Sequence, residues 1–100
     1  MTDKEKAKRI ESKLIKDGFK INHDEIAGNE IIEISCGDFE AVFVPCLNRL
    51  NAPHLSEHSD HSWSNHGYKK YSYPSYYMAL CAVVTLQFEF EQCQEYCLKG

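Results

Sequence analysis

No apolar run in this chain of 100 residues reaches the ~20 that a membrane-spanning helix needs. The longest covers residues 78–86 and is interrupted by Thr85. Residues 1–20 are crowded with charge and hold no apolar stretch, so no secretory leader is expected, and the cytoplasm is the expected compartment. Paired cysteines are also lacking. The five present (Cys36, Cys46, Cys81, Cys93 and Cys97) are odd in number and form no C-x-x-C. That argues against a disulfide framework and for small buried apolar side chains in a reducing compartment. There is no glycine-rich phosphate loop, no G-x-S-x-G and no H-E-x-x-H, the motifs of three large enzyme classes.

An excess of positive charge is missing as well. The net charge is −4, and it is unevenly spread. Residues 1–20 hold seven basic and four acidic side chains, whereas residues 21–60 hold one basic and eight acidic ones. Residues 61–100 balance at three each. A nucleic-acid binder needs the opposite distribution, so nucleic acid is not the expected partner. An acidic surface suits a protein partner with a basic one.

What is present is enough for one compact domain, since 43% of the residues are hydrophobic. The expected plan is α+β in the order α-β-β-β-α: a basic N-terminal helix over 2–17, a three-stranded antiparallel meander within 19–44, a long His- and aromatic-rich loop over 45–73, and a C-terminal helix over 75–98 packed on the sheet. Thr2 and Glu5 have capping-box spacing, and Ala7, Ile10 and Leu14 supply the apolar stripe. Gly18 falls where a left-handed residue would end the helix. Strands are expected over 19–23, 31–36 and 39–44. Gly37-Asp38 suits a two-residue turn, which would pair Cys36 with Phe39, Ile34 with Ala41 and Ile32 with Phe43. All six are apolar and share one face. The other face collects Ser35, Glu40, Glu33, Val42, Ile31 and Val44, and a one-residue slip would destroy this sorting. Between residues 47 and 55 a short helical turn is an option. In the last segment Ala79, Val83, Leu86, Phe90, Cys93 and Cys97 repeat at helical spacing, with Val84, Leu86, Phe88 and Phe90 as a rival strand pattern. Helix propensity favours the former.

The order of elements is topologically that of double-stranded RNA-binding domains. That family carries a basic run at the start of its last helix, whereas here Lys69 and Lys70 precede Pro74 and the helix carries Glu89, Glu91 and Glu95. The likeness stops at topology. In size and acidity the chain resembles the small accessory proteins of bacteriophages and mobile elements, many of which inhibit host defence systems, anti-CRISPR proteins among them. The resemblance implies a viral inhibitor that acts in the host cytoplasm.

Three constellations are candidates for chemistry. His54, His58, His61 and His66 lie within thirteen residues, and His54 with His58 at i, i+4 would share a helix face as zinc ligands do. Zinc is the only cofactor they suggest, and the missing cysteine pairs argue for a hydrophilic loop without one. Cys46, after Pro45 and beside the histidines, is the one cysteine placed to react, although nothing in the sequence predicts the electropositive pocket a thiolate needs. Trp63, Tyr68, Tyr71, Tyr73, Tyr76 and Tyr77 are interleaved with Lys69 and Lys70. Tyr and Trp dominate binding hot spots, and the exposed members of such a cluster would form an interaction surface. Tyr76 and Tyr77 are the expected core members.

The leading expectation is a non-enzymatic binding protein. Its partner-binding residues would be Glu33, Asp38 and Glu40 of the hairpin, with Trp63, Tyr68, Lys69, Lys70, Tyr71 and Tyr73 of the loop. A metal-stabilised regulator and a cysteine-dependent enzyme are the alternatives. Ile31, Val42 and Val44 on the outer hairpin face need a cover, either the long loop or a second copy in a homodimer.

Overall fold

The computed structural model describes residues 2–57 and 63–99, with side chains described over 2–53 and 67–92. The chain is α+β, with helix α1 (Asp3–Lys16), strands β1 (Lys20–Ile26), β2 (Asn29–Cys36) and β3 (Phe39–Val44), a 3₁₀ turn (Pro45–Leu47), strands β4 (Arg49–Glu57) and β5 (Trp63–Ser72), and helix α2 (Tyr76–Lys99). All five strands lie in one antiparallel sheet in sequence order.

Both ends of α1 follow from local chemistry. The Thr2 hydroxyl accepts the Glu5 amide at 3.2 Å and also lies 3.3 Å from the Glu5 carboxylate, to which it donates. At the other end Gly18 takes φ 102°, and the Phe19 amide donates to the Leu14 carbonyl at 2.9 Å. Phe19 is thereby carried back onto the core, where it is buried.

The β2–β3 register matches the pattern read from the sequence: Ile32 opposes Phe43, Ile34 opposes Ala41, and Cys36 opposes Phe39. Ile32, Ile34, Phe39, Ala41 and Phe43 are buried, and they form one cluster with Ala7 and Leu14 of α1, Leu50 and Ala52 of β4, and Ala79, Leu80 and Val83 of α2. Both helices therefore pack on the same face of the sheet. Leu80 was absent from the expected stripe but is fully buried. Cys93 and Cys97 lie outside the described side chains. The rival strand reading of residues 84–90 is overturned, because Val84 and Phe88 are exposed on a continuous helix.

The sheet has five strands, where three were expected. Residues 45–73 do not form a long loop: after the 3₁₀ turn, the chain builds the β4–β5 hairpin and adds it beside β3. The helical turn considered between residues 47 and 55 gives way to this turn and strand. Asn48, at φ 49°, ends the turn and redirects the chain into β4. From Pro53–Tyr68 to Leu55–Asn65 the ladder advances two residues on β4 and three on β5. The extra residue thus sits on β5, where Gly67 takes φ 80°, the conformation that a glycine bulge requires. Among the described residues, no helix is long and apolar enough to cross a membrane.

Candidate functional site

The helices cover one face of the sheet and leave the other bare among the described residues. Strand alternation sorts the candidate residues between the two faces. One row of the bare face crosses all five strands: Asn22 opposes Glu33, Glu33 opposes Val42, Val42 opposes Asn51, and Asn51 opposes Lys70. On one side of it Lys20, Ser35 and Glu40 follow each other across the first three strands, with Tyr68 on β5. On the other side lie Asp24 and Ile31, then Val44, Arg49 and Ser72. Acidic side chains (Asp24, Glu33, Glu40) thus gather on β1 to β3. Basic ones (Arg49, Lys70) occupy β4 and β5, and Lys20 stands alone on β1.

Of the residues expected to bind a partner, Glu33, Glu40, Tyr68 and Lys70 meet on this face. Glu40, Tyr68 and Lys70 line a groove of about 340 Å³ together with Val42 and Asn51. Tyr68 is 64% exposed. The Asn51 side-chain oxygen is buried in the groove wall and has no hydrogen-bond partner among the described residues. Asp38 stands at the hairpin tip.

Lys69, Tyr71 and Tyr73 are placed elsewhere. Lys69 and Tyr71 oppose the buried Ala52 and Leu50, so they share the helix-covered face. The Lys69 ammonium lies 5.4 Å from the Tyr71 ring centre. Tyr71 stacks on Tyr73, both half-buried against the core, as are Tyr76 and Tyr77. The reason is parity: neighbouring strand residues face opposite ways, so Lys69 and Lys70 cannot serve one surface. The side chains of Trp63, His54 and His66 lie outside the described residues, as do His58 and His61 altogether. His54 falls on a strand, so the helical spacing that would pair it with His58 does not apply to it.

On the helix side, a cleft of about 440 Å³ opens between α1, the β1–β2 edge and the start of α2. Its floor includes Ala7, Ile32, Phe43 and Tyr76, and Phe43 stacks on Tyr76 with ring centres 5.9 Å apart. Along one wall runs a polar chain that sequence reasoning missed. The Tyr76 hydroxyl donates to Glu11 Oε2 at 2.7 Å. The same oxygen lies 3.1 Å from His23 Nε2, and Glu30 Oε2 lies 3.4 Å from His23 Nδ1. Burial alone would lower the His23 imidazole, but the hydrogen bonds and charges of Glu11 and Glu30 outweigh it and hold the group above its ordinary 6.5. Burial, then the hydrogen bond and charge of Glu11 and the charge of Glu30, push the Tyr76 hydroxyl far up.

This chain of contacts ties α1, β1, β2 and α2 together. Each His23 nitrogen faces a carboxylate, and the Tyr76 hydroxyl is engaged by Glu11. The two carboxylates address opposite sides of the ring and so do not converge on one ion. Among the described residues no set of three or more His, Cys, Asp or Glu is arranged to hold a metal. A signal for Glu11 did exist in the sequence. It sits four residues after Ala7 and three before Leu14, so it is a charge on the inner stripe of α1.

Cys46 is exposed on the 3₁₀ turn, outside the cleft that its neighbour Pro45 helps to line. Burial and the charge of Glu91 push the Cys36 thiol up, away from the thiolate form that reacts. No family model, curated protein or solved structure matches this chain.

Proposed function

We propose that this chain is a non-enzymatic protein-binding inhibitor or regulator, and that the bare face of its sheet docks a partner with a basic surface. The observation that carries this reading is the meeting of Glu33, Glu40, Tyr68 and Lys70 on the one sheet face that no described element covers. That face has the composition of a docking surface. Half-buried Ile31, Val42 and Val44 run through its middle, an exposed tyrosine stands beside the groove, and charges surround both. An unpaired acceptor at Asn51 would cost about 1–3 kcal/mol if it stayed dry, and a donor from a partner would relieve that cost.

The acidic half on β1 to β3 fits a basic patch of the kind that otherwise receives phosphates. A nucleic-acid-handling protein is therefore the proposed target, and the phage-encoded inhibitors that the sequence resembles are the proposed kin. The test is capture from the native host with wild type and with Glu33→Lys/Glu40→Lys, followed by affinity measurements on the partner that mass spectrometry identifies. The charge reversal should weaken binding at least tenfold at low salt, and the deficit should shrink as salt screens it. An affinity unchanged by the reversal would refute the reading.

A further inference from the structure

Helix α2 is apolar on two opposite sides. One side, with Ala79, Leu80 and Val83, is fully buried against the sheet. On the other, Met78, Val84 and Phe88 are 45%, 45% and 60% exposed, and Cys81 is exposed beside them. Cys81, Val84 and Phe88 fall at i, i+3 and i+7, the spacing of a seam between two helices. Residues 76–88 contain no Asp, Glu, Lys or Arg. Over about three and a half turns the solvent side therefore lacks the charges that a solvated helix face ordinarily carries. A helix that is apolar all round is one covered on both sides.

The charges around the stripe select its cover. Helices that lie on a lipid surface carry Lys or Arg beside their apolar face, and here Glu89 and Glu91 follow the stripe instead. A basic partner would find no carboxylate within it. A second copy of the same helix fits, because an uncharged seam meets itself across a twofold axis without like-charge repulsion. Direction is selected too. In an antiparallel pair, Glu89 and Glu91 of one copy approach the start of the other copy's α2. There Lys6 stands 5.4 Å from the Tyr77 ring centre, and the helix dipole favours negative charge. A parallel pair would instead set Glu against Glu.

We infer that the protein forms a twofold dimer through this stripe, with the two α2 helices antiparallel. The test is sedimentation equilibrium of the full chain together with cross-linking by a short bis-maleimide. Wild type should sediment at twice 11.6 kDa and give a covalent dimer that Cys81→Ser abolishes and Cys46→Ser leaves intact. Phe88→Glu should raise the dimer dissociation constant at least about tenfold, since it strips a large apolar side chain from both ends of the seam, a loss that a solvent-exposed pairing with Lys6 does not offset. Its circular dichroism should stay that of wild type, because Phe88 is exposed. Cys81→Ser covers the case in which Phe88→Glu fails to fold, since it reports contact without disturbing the core. A wild type that stays monomeric at millimolar concentration would overturn the inference. So would a cross-link indifferent to Cys81, or a folded Phe88→Glu that still dimerises as wild type does. A monomer that floats with lipid vesicles would assign the stripe to a membrane surface and overturn it equally.

Discussion

His23 joins four elements through three side chains: Glu11 on α1, Glu30 on β2, and Tyr76 on α2, whose ring it meets edge-on at 5.9 Å. The folded state holds this imidazole above its ordinary value, so the folded state binds the proton more tightly than the unfolded chain does. The resulting stabilisation is fully present below about pH 6.5 and is lost as pH rises through the raised value. His23→Gln should therefore lower the melting temperature more at about pH 5.5 than at about pH 8.5. Melts at the two pH values decide the matter, and an equal penalty at both would exclude the ion pairs as its source. A different residue tests the core. Phe43 is 1% exposed and stacked on Tyr76, so Phe43→Ala should cost about 3–5 kcal/mol in urea unfolding. Glu33→Ala, on the bare face of the same sheet, should cost under about 0.5 kcal/mol. That contrast separates a proposed binding residue from a folding one.

At the scale of elements, the turns decide what the strands become. The β1–β2 hairpin closes through Ala27 at φ 52° and Gly28 at φ 82°, the two positive angles of a type I′ turn. An L-residue other than Asn or Asp is strained there by roughly 1 kcal/mol. Ala27→Asn should thus stabilise the protein by about 0.5–1 kcal/mol, read as a higher urea midpoint with an unchanged slope. No gain would mean that neighbouring contacts, and not the turn itself, set this conformation. The β2–β3 hairpin was legible because six apolar side chains sort to one face in a single register. The β4–β5 hairpin was not. Among its described side chains β4 buries Leu50, Ala52 and Pro53, two of them adjacent, which is too little to show alternation, and β5 offers tyrosines and lysines, which fit strand and loop equally well. The bulge at Gly67 then shifts the phase, so no single period runs along the hairpin.

For the whole molecule, the two proposed surfaces lie back to back. The bare face of the sheet and the outer stripe of α2 point in opposite directions, so a dimer through α2 would present two docking faces outward. Such a dimer should hold partner immobilised at high density far more tightly than Phe88→Glu does, by up to about 10²–10⁴, with equal single-site affinity at low density. Surface plasmon resonance at the two densities makes the comparison. Equal retention at high density would show that two faces do not engage together. The candidate face was only partly readable in advance: Glu33, Glu40, Tyr68 and Lys70 converge as residue types suggested, while Lys69, Tyr71 and Tyr73 turn to the core side.

The α1 cap, the β2–β3 register and the helical α2 follow from spacings of at most a dozen residues. Over such distances the backbone period fixes which side chains share a face, so the sequence by itself determined them. Tertiary structure alone decided the rest. It added β4 and β5 to the edge of β3, brought Glu11, His23, Glu30 and Tyr76 together from four elements, and left one side of α2 without a neighbour among the described residues. Each of these depends on which distant surface lies opposite, and local periodicity holds no record of that.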